Sequence, residues 1–561
     1  MSGPADLAFV GGGVYTLDPV RPWAEAVAVR GGVIEAVGTE RDIRDRCGPS
    51  TDVVDLAGRM LLPGFQDAHV HASAGGLNRA ARVDLSESHS LEDYGRIIRD
   101  YAARAPEAPW ILGAGWSLDV FPGGVPTREQ LDAIVPGRPA FLVNRDHHGA
   151  WVNSRALELG QVGTSTPDPS DGRIERTAAG EPAGTLQEGA MALLERVIPP
   201  VTAEDRIRGI LEAQAYLHSL GITAWQEAIV GTYPGVPDCF DAYRAVDGNG
   251  DLTGRVVGAL WLRRGVDLDE QLDGFLHRRA LAAEDPAGRF RASTVKIMYD
   301  GVCENFTAAM LEPYLGRDAA SEDRGLTYFD GDALQGWVAR LDAEGFQVHF
   351  HAIGDRGVRD VLDAVEAARR ANGMSDNRHH VAHIQVVHPD DRPRFRSLGV
   401  AANAQMLWAH ADAQMSELTV PFLGPERSGW MYPFASLRAH GAVLAAGSDW
   451  PISTADPLRE MHVGVNRLAP PGYEFSPPGG DVAEPLLSGE RITLQAAIAA
   501  FTAGSAFVNH LDDTGVIRTG NAADLIVLDR NLFAAPAEEI GGAHVVMTFV
   551  DGRPVYASRE A

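Results

Sequence analysis

Eight short apolar, β-rich runs recur through the middle of this 561-residue chain, each followed by a helical pattern, and that alternation constrains the fold more than any other feature. They are Met60 to His71, Ile222 to Ile229, Arg255 to Leu262, Ser293 to Asp300, Phe346 to Ala352, His380 to Gln385, Val400 to Gln405 and Ala442 to Asp449. Near-continuous apolar strands separated by helices are the signature of a parallel sheet covered on its faces. The intervening helices are individually credible: Ile207, Ile210, Leu211 and Leu217 form one stripe behind Thr202, whose hydroxyl can cap the first turn. Eight strand–helix units predict an α/β fold, the (β/α)8 TIM barrel.

The two ends read differently. Gly13 to Leu17, Ala26 to Arg30 and Val33 to Val37, the last two joined across Gly31-Gly32, are short strands with tight turns. So are Asp524 to Leu528, Val545 to Val550 and Val555-Tyr556 beyond the Asp551-Gly552 turn. The ends are expected to pair into one small β-sandwich built from residues 1–59 and 513–561. Residues 60–72 and 201–512 would then form the catalytic barrel. Strands one and two lie about 150 residues apart, far more than a βα connection needs. Residues 73–200 are therefore expected as an inserted α/β region at the barrel mouth.

A net charge of −27 disfavours nucleic acid and anionic membrane surfaces as partners, because both require a basic patch. Cys47, Cys239 and Cys303 are too few and too scattered for a disulfide framework or a cysteine-built metal site, which suits a reducing cytoplasm. No leader pattern and no run of about 18 apolar residues occurs, so no membrane span is expected. The expected partner is a small-molecule substrate, with a homodimer as a candidate assembly. Of 49 basic residues, one is lysine, Lys296.

Side chains two apart on a strand share a face, so His69 and His71 leave the first strand together. His351, His383 and Asp449 each stop a later run. In a TIM barrel the C-terminal strand ends share one face, so these residues converge; imidazoles with a carboxylate read as a zinc-like site with open positions. Each alone has a plain structural reading, as a hydrogen-bonded core histidine or, for Asp449, a helix N-cap before Pro451. The conjunction is harder to dismiss. Lys296 adds an independent argument: where arginine serves almost everywhere else, a lone lysine marks a position needing an amine that can lose its proton, react as a nucleophile or take up carbon dioxide as a carbamate. Such a carbamate can bridge two metals about 4 Å apart. Lys296 shares its parity with Met298 and Asp300.

The strings LPGFQDAHVH (Leu62 to His71), VKIMYDG around Lys296, FHAIGD (Phe350 to Asp355), VAHIQVVH with His383, and GSDWP (Gly447 to Pro451) resemble the amidohydrolase superfamily, and more narrowly amidohydrolase family 3, which includes N-substituted formamide deformylases. GVIRTGNAADLIVLD (Gly515 to Asp529) extends the resemblance over nearly the whole chain. The resemblance implies one or two divalent ions, zinc foremost, with His69, His71 and Asp449 at the more buried ion, N-carboxylated Lys296 bridging, and His351 and His383 at the second. It implies hydrolysis of a C–N bond by metal-activated hydroxide, with Asp449 as general base and then acid and His148 steadying the oxyanion. His148 and Asn153 match a motif of the inserted region; Glu227 stands where many relatives carry Asp. Trp116, Trp151, Tyr299, Trp408 and Trp450 are expected to line an apolar substrate cavity, with Asn153 also expected to bind substrate. The leading expectation is hydrolysis of an N-formyl or N-acyl amide. The rivals are a cyclic-amide hydrolase, a deaminase or a carbamate hydrolase on the same residues, or a scaffold without catalysis.

Overall fold

The structure, a computed structural model, describes residues 3–86, 88–234, 236–285, 288–316, 322–473 and 484–559, so residues 1–2 and 560–561 of the expected terminal unit lie outside the described residues. Its centre is a (β/α)8 TIM barrel of eight parallel strands in sequential order. They are β1 (Phe65–Val70), β2 (Ile222–Val230), β3 (Arg255–Trp261), β4 (Phe290–Met298), β5 (Gln347–Ala352), β6 (His380–His383), β7 (Ala401–Ala404) and β8 (Leu444–Ala446). The circle closes between its first and last strands: Asp449 N donates to His69 O at 2.8 Å and His71 N donates to Trp450 O at 2.8 Å. Gly447 permits that approach, since a Cβ there would lie 2.6 Å from His69 N.

The apolar run at Met60 does not continue as one strand. Met60–Pro63 pairs with Leu525–Leu528 and Gly13–Tyr15 in a six-stranded sheet contributed by both chain ends. At Gly64 the chain passes to the barrel: Gly64 N donates to Asp524 O, and Phe65 N donates to Gly221 O. The six-stranded sheet packs on a second, four-stranded one from the first 55 residues. Phe9 meets Phe549 edge-on at 5.0 Å between them, and Leu61, Leu525 and Val527 fill the same core. Gly31 and Gly32, at φ 57° and 79°, make the hairpin turn that the sequence predicts.

Helix Ala72–Ala81, which falls in the expected insertion, instead packs against the barrel helix Ala203–Ser219; Gly76 and Gly209 touch backbone to backbone. Thr202 caps Ala203–Ser219, accepting from Asp205 N at 3.0 Å. The remainder of the insertion holds its own six-stranded sheet, from Val83–Asp84 through Gly172–Arg176. One face of that sheet (Ala114, Val143, Ala150, Val152) packs toward Ile229, Tyr233, Trp261 and Met298 at the barrel mouth. The other packs on the insertion's own helices. Among the described residues no helix is long and apolar enough to cross a membrane.

Candidate metal centre

The C-terminal strand ends bring His69, His71, Lys296, His351, His383 and Asp449 to one pocket. Asp449 sits at its centre. Its Oδ1 lies 2.9 Å from His69 Nε2 and 3.1 Å from His71 Nε2, and its Oδ2 lies 3.8 Å from His383 Nδ1. The rings of His351 and His383 are 4.3 Å apart. Ligand atoms of His69, His383 and Asp449 all fall within 4.8 Å of one another. His69 Nε2, His383 Nδ1 and Asp449 Oδ1 are buried yet make no hydrogen bond, despite the short approach. Unsatisfied buried polar atoms are costly, and converging lone pairs fit a cation that would satisfy all of them.

A second layer of polar side chains sets which nitrogen His69 presents. Gln347 Nε2 donates to two backbone carbonyls, Val508 O at 2.7 Å and Arg378 O at 2.8 Å, so its Oε1 must face inward. That oxygen accepts from Gln226 Nε2 at 3.0 Å, which turns Gln226 Oε1 toward His349 Nδ1 (2.7 Å) and His380 Nε2 (3.0 Å). With its proton on Nδ1, His349 accepts at Nε2 from His69 Nδ1 at 2.8 Å. His69 Nε2 is therefore left bare for a metal. Burial lowers the pKa of His349 and His380 well below the usual histidine range, which keeps both neutral. Lys296 Nζ lies 3.3 Å from His349 Nε2, and burial lowers its pKa to about 7.

Around this centre the backbone is strained. His147, Glu188, His383 and Asp449 have φ of 65°, 52°, 77° and 57°. Left-handed backbone at non-glycine residues costs roughly 1–3 kcal/mol each and concentrates at functional sites. Asp67 holds the Asp449 turn, accepting from Ser448 Oγ at 2.5 Å and Ser448 N at 3.1 Å. Asp300 accepts from Ile353 N, Gly354 N and Ala309 N, fixing the loop that follows His351. His148 Nδ1 lies 2.7 Å from Glu188 Oε1. Burial opposes the imidazolium, but Glu188 outweighs it and raises the His148 pKa.

The aromatic expectations divide. Trp408 walls the pocket, its ring parallel to His383 at 5.3 Å. Trp116 and Trp151 do not reach it: their indole nitrogens donate to Leu142 O and Thr127 O, on the insertion-sheet face turned away from the barrel. Asn153 caps helix Ser154–Gly160 and ties Val135 O and Arg138 O, a structural role. Tyr299 points outward and donates to Asp360 at 2.7 Å. The Trp450 ring wedges against Gly75 and Tyr216 behind the strand end. Glu227 also faces out of the barrel, accepting from Ser73 N, Ser73 Oγ and Tyr243 OH; it anchors helix Ala72–Ala81. Pocket residues outside the sequence expectations are Asp146, His147, Tyr233, Ile229, Met298, Val302 and Ile452.

A TIM barrel with a buried histidine–aspartate cluster at its strand ends is the architecture of a metal-dependent hydrolase. The chain belongs to the amidohydrolase family, whose sequence profile matches residues 52–556. It is 31% identical to Protein LONG AFTER FAR-RED 3 of Arabidopsis thaliana, over 98% of this chain and 92% of that protein. It is 27% identical to the N-substituted formamide deformylase of Arthrobacter pascens, over 98% of this chain and 97% of that one. The crystal structure of an uncharacterized metal-dependent hydrolase from Pyrococcus furiosus superposes with a TM-score of 0.69 at 27% identity, covering 94% of this chain and 99% of the other.

Proposed function

We propose that this protein hydrolyses the C–N bond of a small N-formyl or N-acyl amide. The observation that carries the reading is the convergence of three buried, hydrogen-bond-free ligand atoms, on His69, His383 and Asp449, with His71, His351 and Lys296 in the same pocket. Similarity to a formamide deformylase along nearly the full length supports the choice of bond.

His69, His71 and Asp449 would hold one divalent ion, zinc foremost, and His351 and His383 a second, with Lys296 between them as a carbamate formed when its neutral amine adds carbon dioxide and releases a proton. Bound there, the metal would supply Lewis acidity toward a carbonyl oxygen and an acidified water at neutral pH. Asp449 would take a proton at the reacting centre and return it to the departing amine. His148, oriented by Glu188, which favours its protonated form, would present an N–H at the edge of the pocket, suited to a carbonyl oxygen gaining negative charge. Trp408 supplies an apolar wall and excludes water from one side. A reducing, cytoplasmic setting belongs to the same reading, supported by the free thiols of Cys47, Cys239 and Cys303.

The test is metal analysis of the purified protein combined with amine release from a panel of formamides, acetamides, carbamates and cyclic amides bearing apolar groups. Bound zinc, manganese or iron with turnover of acyclic amides is expected, and Asp449→Asn should lose most of that turnover. Release only from cyclic amides or carbamates would move the reading to those bonds. A protein that binds no metal, and gains no hydrolysis when metals are added, is a scaffold.

A further inference from the structure

Beside the metal pocket lies a larger cavity enclosing about 800 Å³ of empty space, part of it open to solvent. Asp146, Val302, Trp408 and Ile452 line both, so the two adjoin across these side chains. Leu118, Leu407, Trp408 and Met415 give the larger cavity an apolar wall. Four carboxylates, of Asp119, Asp146, Glu304 and Asp412, are among its polar lining. Asp119 is matched by His89 Nε2 at 2.8 Å. Although the His148 imidazole acts through space on Asp146, and His410 and Arg145 on Asp412, the carboxylates of Asp146, Glu304 and Asp412 form no direct ion pair among the described residues. They accept only neutral donors: His148 N at 2.9 Å, Thr419 Oγ1 at 2.9 Å and Met415 N at 2.6 Å respectively. Arg145, at the cavity's edge, donates to Ser86 O.

Two further lining groups are unsatisfied. Gln385 is 2% exposed, and its Nε2 has no partner. His410 is 3% exposed; its Nδ1 lies 2.6 Å from Leu407 O and must donate to it, which leaves Nε2 as a buried acceptor with no partner. Buried polar atoms in a well-packed protein are rarely left this way unless a ligand or water completes them. The carboxylates of Asp146, Glu304 and Asp412 each accept one hydrogen bond and keep further lone pairs to offer. Four carboxylates against one guanidinium disfavour an anion, although burial raises the pKa of Asp146, Asp412 and Glu304, the last to about 7, and a neutral hydrocarbon would leave these groups unmatched. A second metal site is also disfavoured, because among the described residues the only histidine–carboxylate grouping compact enough for an ion is His69, His383 and Asp449.

From this complementarity we infer that the cavity is a subsite for an N–H-rich organic cation, so that the substrate carries an ammonium, amidinium or guanidinium group at the end of an apolar body. The apolar body lies along Leu407, Trp408 and Met415, and the cation meets Glu304 and Asp412. The inference rests on the hydrolase reading for the placement of the scissile bond at the metal residues. The cation preference itself depends only on the cavity.

The experiment is isothermal titration of the full-length, zinc-loaded protein with benzamidine and with benzamide, planar molecules of nearly equal size that differ in charge and donor count. Benzamidine should bind at least about tenfold more tightly, a difference of roughly 1.4 kcal/mol. Glu304→Gln keeps the side chain's shape and should erase most of that preference. Asp412→Asn, as a second variant, should reduce it by a smaller factor. Equal affinity for the two probes, or a preference that survives in both variants, overturns the inference. Failure of every amide to be hydrolysed, with the benzamidine preference intact, sinks the amide reading and upholds the cation subsite. Hydrolysis without any preference does the reverse.

Discussion

Gln347 controls the metal centre without touching it. Two backbone carbonyls fix its amide, and the orientation passes through Gln226 and His349 to the bare Nε2 of His69. Residues that orient a metal-ligating histidine typically contribute about 10–100-fold to metal affinity. His349→Phe keeps the volume and removes the acceptor, so His69 is free to rotate or change tautomer. Zinc affinity measured by competition with a chelator should fall by that factor, with the far-ultraviolet dichroism unchanged; equal affinity would show that the second layer only fills space. Lys296 allows a sharper separation of roles. Arginine there would bury a charge that cannot be discharged, whereas Lys296→Met matches the stem and deletes only the amine. The variant should melt within a few degrees of the parent, hold less metal per chain and show no turnover. Full metal content with normal rates would remove the lysine from the site.

At the scale of elements, Glu227 shows how a strand and a helix are coupled. It leaves β2 on the outer side and receives three donors, two of them from Ser73 at the start of helix Ala72–Ala81. Burial pushes its carboxyl up to about 7, above the value of roughly 4.3 expected when the chain is unfolded. The folded state therefore holds a proton that the unfolded state has lost. The stability this contributes is fully present below about pH 4.3 and disappears as pH rises through about 7. Glu227→Gln mimics the protonated form at every pH. In urea melts the variant should gain on the parent between pH 5 and pH 8 by on the order of 2–3 kcal/mol. Parallel curves would mean that Glu227 stays charged in the fold. The same element shows what a sequence discloses. The run Ile222 to Ile229, which carries Gln226 and Glu227, is legible as a strand, and the strand-end positions of His351, His383 and Asp449 are legible because polar residues stop apolar runs. Parity also points to His349, two residues before His351 and on the same face, so a second inward histidine is readable from the strand. What pattern alone does not give is which face of the inserted sheet meets the barrel. Val152 packs toward the mouth and Trp151, one residue earlier, away from it, a choice made by contacts between distant segments. The large aromatic is the more conspicuous residue, and here it belongs to the insertion's own core.

The whole molecule is held together at the end of the barrel opposite the metal centre. β1 begins at Phe65 immediately after the terminal sheet's Met60–Pro63, so the strand that delivers His69 and His71 is anchored in that sheet. The clamp on the barrel side is Arg255, at the start of β3, which donates through Nε to Asp524 at 2.8 Å and through Nη2 to Asp551 at 2.5 Å. Asp524 is only 3% exposed, and its backbone oxygen accepts from Gly64 N at the crossing from sheet to barrel. Removing one partner of a buried ion pair leaves an uncompensated charge and costs about 3–5 kcal/mol, far more than an exposed pair. Arg255→Met should therefore lower thermal stability markedly, whereas Arg255→Met combined with Asp524→Asn should recover a large part of the loss because no buried charge is left unpaired. Hydrogen exchange should register the single variant first along Met60–Pro63 and Leu525–Leu528, and then in β1. A uniform rise in exchange across the barrel would instead mean that the terminal sheets and the barrel unfold as one unit, and that the anchoring of the metal strand is shared by the entire sheet.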